Sequence, residues 1–223
     1  MKATFVAAAA VILVLAGSAA AQSPVAIVED VKGKVTGAEF MDYVVPGTVI
    51  KLGAEGVVVI GYMGSCIRET IKGGVAIVGT DESRTSLGEV SRERINCDNK
   101  RAQVNDRAAT QSAATTFRSL GKKPEIAELQ SDPVIYGLSP VIELGKPGKL
   151  LIERIDLPGE KFEAVIDSKK LVKGKFYDLA AQGKSLMPGG TYAATAGASR
   201  TVFKIDPMAR PGASPIVGRL VRL

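Results

Sequence analysis

The chain has 223 residues, carries 29 Lys and Arg against 23 Asp and Glu, and contains two cysteines and no histidine. The lack of histidine excludes Ser-His-Asp and Cys-His nucleophiles, histidine general bases and zinc hydrolases with histidine ligands. A structural zinc site needs four Cys or His ligands and is excluded as well. We therefore predict no catalytic residue, no metal and no cofactor, and we expect that the protein is not an enzyme.

Residues 1–21 have the composition of a secretory signal peptide. Lys2 gives a positive start, an apolar stretch runs from Phe5 to Leu15, and small residues then end in an Ala-x-Ala pattern at Ala21. This order predicts cleavage before Gln22. An uncleaved anchor is disfavoured because the apolar stretch is short for a span of about 20 residues. No later segment approaches membrane-spanning length, because charges or glycines interrupt every apolar run. We therefore expect a periplasmic or secreted protein without a membrane span.

Residues 22–98 have the pattern of short strands and tight turns. The segment VAIVEDVKGKV is apolar and β-branched, and it predicts the first strand. A further strand is expected at 49–52, followed by a loop at Gly53–Gly56. The run VVVI at 57–60 is apolar on both faces, as in a central strand.

The end of this region combines a glycine pair with the two cysteines. Gly73-Gly74 predict a two-residue hairpin turn, because both central positions of such a turn need positive φ. Residues 89–97 predict a polar edge strand. Two cysteines of an exported protein are most simply paired. A Cys66–Cys97 disulfide would tie the end of the edge strand to the start of the hairpin.

The segment 99–121 interrupts this pattern with alanine, glutamine, threonine and arginine, and we predict a basic linker that is partly helical. It is either a solvated linker or a site for an anionic partner such as phospholipid head groups, wall polymers or an acidic protein face. Nucleic acid is not expected as a partner of an exported protein whose basic segment offers one aromatic residue, Phe117. The candidate binding residues are Lys100, Arg101, Arg107, Arg118, Lys122 and Lys123.

Strands resume within residues 122–207. The segment KLLIERIDLPGEKFEAVID predicts a hairpin that turns at Leu157–Glu160, where Pro followed by Gly suits a type II turn. LMPGGTYAATAG and RTVFKID predict a second strand pair. Residues 208–223 are expected to form a C-terminal tail, as a last short strand or a docked extension, with arginines that are equally compatible with the surface. The chain is thus predicted to be all-β, with two domains joined by the basic linker.

Three short patterns resemble catalytic motifs but lack their context. Gly183-Lys184-Ser185 ends like a phosphate-binding loop, but Asp178 stands where that motif begins with glycine. The S-x-x-K pattern at 119–122 lacks the S-D-N and K-T-G elements that accompany it in serine–lysine enzymes. The adjacent carboxylates of Asp81-Glu82 are not distinguished from any surface pair. None of the three is predicted to be a site.

The first region resembles the FecR-type periplasmic domain over residues 25–97. VEDVKGKV, VVPGTVIKLGAEGVVVIGY and the strand after Gly73-Gly74 are similar to that family's V-x-G-x-V strand, its G-x-x-I-x-x-G stretch and its repeated short strands. The resemblance implies a β domain outside the inner membrane, of a kind found in signal-relay proteins. This chain departs from the relay pattern, because no cytoplasmic part or membrane helix is predicted, and its cysteine pair is not a general feature of the family.

The second region resembles an immunoglobulin or fibronectin type III β-sandwich. The residues that carry the resemblance are Leu186, Pro188, Gly189 and Tyr192, which match the L-x-P-G-x-x-Y corner of fibronectin type III domains. In that corner the tyrosine hydroxyl bonds to nearby backbone. The resemblance therefore implies that Tyr192 is a structural residue and not part of a binding site.

These features predict an exported, non-catalytic binding or adaptor protein of the bacterial cell envelope, with an envelope protein or a cell-wall glycan as partner. One alternative is a module that binds peptidoglycan or polysaccharide directly. The aromatic platform that it needs would come from Phe40, Tyr43, Tyr62, Tyr136 and Tyr177. The other alternative is a hydrolase that works without histidine, for which a cleft with two carboxylates about 5–10 Å apart would be the mark.

Overall fold

The computed structural model describes residues 22–98 and 132–223, and it is all-β, as predicted. The described residues form three sheets and three single-turn 3₁₀ segments, and these two ranges contain no α-helix. No helix within them is long and apolar enough to cross a membrane. The predicted signal peptide and the predicted basic linker lie outside the described residues.

Residues 22–98, the first half, form a seven-stranded sheet, sheet A. Its strands are β1 (Ala26–Lys32), β2 (Val35–Thr36), β3 (Tyr43–Val44), β4 (Val49–Tyr62), β5 (Ile67–Ile77), β6 (Arg84–Ser86) and β7 (Glu89–Arg94). The order is β3-β1-β4-β5-β6, with β2 also against β4 and β7 against β5. Val58 and Ile60 of β4 are fully buried between β1 and β5, as predicted for a central strand.

The glycines that predict a loop and a hairpin lie inside continuous strands instead. Gly53–Gly56 belong to β4, and Gly73-Gly74 belong to β5, where both have the expected positive φ of 65° and 72°. The register of β4 against β5 shifts between Leu52 and Val57, so the pairing of the two strands is interrupted there by a β-bulge. β5 pairs with β7 before its glycines and with β6 after them. The hairpin and loop predictions are therefore wrong. Both glycine segments lie within strands that pair with neighbours before and after them, so each forms an irregularity within the sheet and not a turn between two strands.

Residues 132–223, the second half, form the five-stranded sheet B and the three-stranded sheet C. The strands are β8 (Val134–Gly137), β9 (Val141–Glu143), β10 (Gly148–Arg154), β11 (Lys161–Ile166), β12 (Phe176–Asp178), β13 (Thr191–Ala196), β14 (Ser199–Arg210) and β15 (Leu220–Arg222). Sheet B has the order β11-β10-β13-β14-β8, and sheet C has the order β12-β9-β15. Leu150 and Phe203 of sheet B share one core with Ile142 and Tyr177 of sheet C.

Both predicted strand pairs of the second half are confirmed. β10 and β11 pair across the predicted turn, in which Gly159 has a φ of 118°, and β13 pairs with β14. Residues 208–223, expected as a tail, contribute the end of β14 and the last strand, β15. β15 runs parallel to β9 and completes sheet C.

The two halves also share a buried apolar cluster, which we call the junction. Each large apolar side chain buried there contributes about 1.5–3 kcal/mol relative to exposure. Its buried members come from both halves: Ile27, Met41 and Met63 from the first, and Val141, Phe176, Ile216 and Val217 from the second. The halves are therefore packed against each other through one shared cluster of buried apolar side chains.

Candidate functional site

An open cleft of about 720 Å³ lies next to the junction and is lined by both halves. Its apolar walls include Pro24, Val25 and Met63 from the first half and Val134 and Leu220 from the second. Ligand pockets are typically concave, mostly apolar and of this size, and they often form where two structural units meet. The cleft is therefore the candidate functional site of the described part of the chain.

Charged side chains tie the two walls of the cleft together. The backbone N–H of Val134 donates to Asp98 Oδ2 at 3.0 Å, so the end of the first half holds the start of β8. The Arg222 guanidinium lies 2.9 Å from Met63 Sδ across the cleft, and its Nε is 3.5 Å from Glu143 Oε2. These contacts hold the apolar walls at a defined separation.

A buried glutamate anchors the C-terminal segment to sheet A. The Glu29 side chain is only 1 % exposed, and its Oε1 accepts a hydrogen bond from the Val217 backbone N–H at 2.8 Å. Its other oxygen accepts from Arg68 Nε at 2.8 Å, and Arg68 also donates to Ser214 Oγ. Gly61 makes room for the carboxylate, since a Cβ there would lie 2.7 Å from Glu29 Oε1. These hydrogen bonds join residues near the two ends of the described sequence, and they hold Val217, which lines the cleft, in place.

Arg219 forms a second buried anchor, within the second half. Its guanidinium donates to the backbone carbonyls of Ser139 and Ala213 and, at 3.0 Å, to Asp178 Oδ1. Gly137 faces it closely, because a Cβ there would lie 2.5 Å from the Arg219 Cγ and Cδ atoms. A surface position, one of the alternatives for the tail arginines, is therefore wrong for Arg219, which is almost fully buried. It ties β12 to the segment that carries Val217 and β15.

Tyr43 connects the two halves beside the cleft. Its hydroxyl donates to Glu143 Oε2 at 2.7 Å, and its ring meets the edge of Phe176 with centroids 5.5 Å apart. The Lys175 ammonium lies 4.3 Å from the ring centroid. Burial raises the pKa of the Tyr43 phenol above its usual value, the Glu143 carboxylate raises it further, and Arg222 opposes both. The phenol therefore remains a hydrogen-bond donor at neutral pH.

We expect the Tyr43–Glu143 contact to couple the stabilities of the two halves. Tyr43→Phe and Glu143→Gln should each destabilise the protein, with a coupling energy of about 1–2 kcal/mol in a double-mutant cycle, because the hydrogen bond is made to a charged acceptor. Chemical denaturation of the four proteins measures this value. Tyr62→Phe is the control partner for Glu143→Gln, since Tyr62 bonds instead to Ser83. A coupling energy no larger than in the control cycle would contradict the prediction.

The predicted Cys66–Cys97 disulfide is confirmed, with the two Cα atoms 5.6 Å apart. The predicted edge strand appears as β7, and the chain then continues along β5, where the Ile95 N–H donates to the Cys66 carbonyl at 2.9 Å. Cys97 packs against the junction and directly precedes Asp98. The disulfide therefore helps to position the carboxylate that holds β8.

The predicted corner residues Leu186, Pro188 and Tyr192 lie just before and at the start of β13. The Tyr192 hydroxyl donates to Glu160 Oε2 at 2.5 Å and accepts the Met187 N–H at 3.0 Å. Burial is the main cause that raises the pKa of this phenol above its usual value. Tyr192 is engaged inside the fold and is not available to a ligand.

The remaining residues named from the sequence lie at the cleft, on the surface or outside the described residues. Asp81 lines the cleft, whereas Glu82 lies 3.2 Å from Arg92 Nε in an exposed ion pair. Lys100, Arg101, Arg107, Arg118, Lys122 and Lys123 lie outside the described residues. The sequence analysis did not single out Glu29 or Arg219, although Glu29 directly follows the apolar run VAIV and was in that sense a signal.

Comparison with known proteins adds no relative from which to transfer a site. No protein-family model, no curated protein and no solved structure matches the chain. Among residues 22–98 and 132–223, no group of three or more Cys, Asp or Glu side chains is arranged to hold a metal ion.

Proposed function

We propose that the protein is an exported, non-catalytic binding protein of the bacterial cell envelope that acts by contacting another envelope protein. The observation that carries the proposal is the cleft of about 720 Å³ between the two halves, whose lining is more apolar than polar. Its walls are held by buried contacts of Glu29 and Arg219, so the cleft is formed before a partner arrives. A preformed site loses less conformational entropy on binding, which favours affinity.

The chemistry of the walls favours an extended, apolar segment of a partner protein. Pro24, Val25, Val134 and Leu220 offer apolar contact, whereas Arg222 is already engaged by groups of the protein. A strongly charged ligand would find few unpaired groups there, and burying its charge without a partner would be costly. The disulfide and the predicted signal peptide support an oxidising location such as the periplasm.

The proposal includes an immunoglobulin-like or fibronectin-like second half and a FecR-like first half. In sheet B the order β11-β10-β13-β14 corresponds to the order C′-C-F-G of immunoglobulin domains, and in sheet C β9 lies beside β12, as B lies beside E. Tyr192 is the second residue of β13, the counterpart of strand F, where the tyrosine corner occurs. The FecR-like assignment is supported by the sequence motifs at β1, β4 and the part of β5 that follows Gly73-Gly74.

Direct binding of a wall glycan is the weaker alternative. A glycan platform needs exposed aromatic rings, but Tyr62 and Tyr177 are buried, and Tyr43 is engaged at the junction. Phe40 is the most accessible of the five candidate aromatic residues, at 43 % exposure. One exposed ring offers little stacking surface for a polysaccharide.

A hydrolase without histidine is the second alternative, because the cleft contains two carboxylates. Asp81 and Asp98 both line it. Asp98, however, accepts the backbone N–H of Val134 and follows the disulfide directly, which gives it a structural role. The binding function therefore accounts for the cleft better than hydrolysis does.

Photo-crosslinking in cells tests the proposal. A photoreactive amino acid would replace Pro24 or Val134, which lie on cleft walls from different halves, and Leu87, which is exposed and does not line the cleft. We expect the two cleft positions to give the same protein adduct and Leu87 to give none. A Pro24→Asp change should reduce the adduct formed from Val134 by about tenfold, since it places a charge in an apolar wall.

The alternatives predict different results in the same experiment. Adducts that differ between Pro24 and Val134, or that also form from Leu87, would contradict a partner seated in the cleft. Retention of the purified protein on cell-wall sacculi, with no protein adduct, would favour the glycan alternative. Turnover of a wall substrate that is lost in Asp81→Asn would favour the hydrolase.

A further inference from the structure

The strand β11 forms one edge of sheet B. Among the described residues it pairs with β10 alone, and its sequence is Lys161-Phe162-Glu163-Ala164-Val165-Ile166. Phe162, Ala164 and Ile166 face the core, while Lys161, Glu163 and Val165 face solvent, with Val165 73 % exposed. An edge strand presents unpaired backbone groups to which a further strand can add.

The residues of β11 alternate in the direction of their backbone groups. The Arg154 N–H donates to the Glu160 carbonyl, so the even-numbered residues from 160 onward exchange hydrogen bonds with β10. The N–H and C=O groups of Lys161, Glu163 and Val165 therefore point away from β10. The Val165 carbonyl is taken by Lys170 Nζ at 3.3 Å, which limits strand addition to the part of β11 that precedes it.

Charge decides which strand fits this edge. An antiparallel copy of β11 centred on Phe162 places Lys161 opposite Glu163 of the other copy, and Glu163 opposite its Lys161. A shift of the centre to Glu163 would place two glutamates face to face, which is unfavourable. The register centred on Phe162 uses the outward-facing backbone groups of Lys161 and Glu163 as its hydrogen-bonded pairs.

We propose that the protein forms a two-fold symmetric dimer through β11, in the register centred on Phe162. The edge is self-complementary, as an isologous interface requires, because each copy supplies one lysine and one glutamate to the other. The dimer joins two five-stranded sheets into one continuous sheet. It also presents two clefts on one particle, which increases avidity for a partner that is itself repeated.

Side chains on the inner face add to the interface. The two Phe162 rings meet at the dimer axis in a non-hydrogen-bonded pair, where side chains approach most closely. Phe162 is half-buried and lies 6.4 Å from the Tyr177 ring, so its contact with the other copy extends the existing core. The interface is small, and we expect a weak dimer that dissociates on dilution.

Complementary charge variants test the dimer and its register together. In the Lys161→Glu dimer, glutamates would face each other at positions 161 and 163 of the two copies. In the Glu163→Lys dimer, lysines would face each other at the same positions. We expect each variant alone to dimerise more weakly than the wild type by roughly tenfold or more. An equimolar mixture of the two variants pairs glutamate with lysine at both positions and should recover dimerisation. Sedimentation velocity of the oxidised, exported chain over a range of concentrations measures all three.

A pair of proline variants provides the matched control. Glu163→Pro removes an N–H that points outward, so it should abolish the dimer and leave the fold intact, whereas Ala164→Pro removes an N–H bonded to β10 and should destabilise the monomer. A wild type that stays monomeric at every concentration would overturn the proposal. A dimer that is unchanged by Lys161→Glu and by Glu163→Pro would also overturn it, since another surface would then be responsible.

Discussion

Replacing Glu29 with alanine is expected to lower the free energy of unfolding by about 3 kcal/mol. The change removes the acceptor of the buried Val217 N–H and leaves Arg68 without its buried partner, a loss that typically costs about 3–5 kcal/mol. The lower value is appropriate because the Arg68 side chain is 23 % exposed and regains some hydration. Chemical denaturation measures the stability, and amide exchange at Val217 shows whether its segment loosens first.

Two further variants distinguish the loss of the buried Glu29 contacts from the loss of a negative charge in general. Glu89→Ala, at an exposed position of β7, is expected to change stability by no more than about 0.5 kcal/mol. Gly61→Ala should resemble Glu29→Ala, because its methyl group would collide with Glu29 Oε1 and press on the Val217 Cβ. Equal effects of Glu29→Ala and Glu89→Ala would show that the buried anchor does not hold the C-terminal segment.

Reduction of the Cys66–Cys97 disulfide is expected to lower the free energy of unfolding by roughly 3–4 kcal/mol, because the unfolded chain regains the entropy of an open loop. The structure adds a local consequence. Cys97 positions Asp98, which accepts the Val134 N–H at the cleft. Amide exchange at Val134 should therefore accelerate more on reduction than exchange at Ile152, which lies in β10 of sheet B.

The double variant Cys66→Ala/Cys97→Ala distinguishes the crosslink from side effects of the reductant. It should match the reduced wild type in stability and should not respond to further reductant. If reduction leaves the stability within about 0.5 kcal/mol of the oxidised protein, the disulfide does not stabilise the fold as predicted. Equal acceleration of exchange at Val134 and Ile152 would show that the disulfide does not specifically stabilise the contact at the cleft.

The all-β class and the disulfide could be read from the sequence because their signals are local or compositional. Alternating and β-branched segments predicted β1, the β10–β11 hairpin and the β13–β14 pair. The disulfide followed from two cysteines in a chain that is predicted to be exported. Strand formation was indicated by residues close together in the chain, and the disulfide was indicated by the number of cysteines.

The glycine pair in β5 shows where local signals stop. Gly73 and Gly74 have the positive φ that the sequence indicates, yet β5 continues through them. Two consecutive residues with positive φ fit a turn as well as a bulge, and the choice depends on whether further strands pair beyond them. β4, β6 and β7 supply those pairing partners.

The candidate site depended on contacts between distant parts of the chain. The sequence by itself determined most strand-forming segments, the turn at Leu157–Glu160, the residues able to form a disulfide and the chemistries that a chain without histidine cannot use. Only the tertiary structure decided that Glu29 is buried against Val217, that Arg219 is an interior residue and that a cleft lies between the halves. The physical reason is that strand and turn preferences arise from neighbouring residues, whereas burial of a charge depends on partners that folding alone brings together.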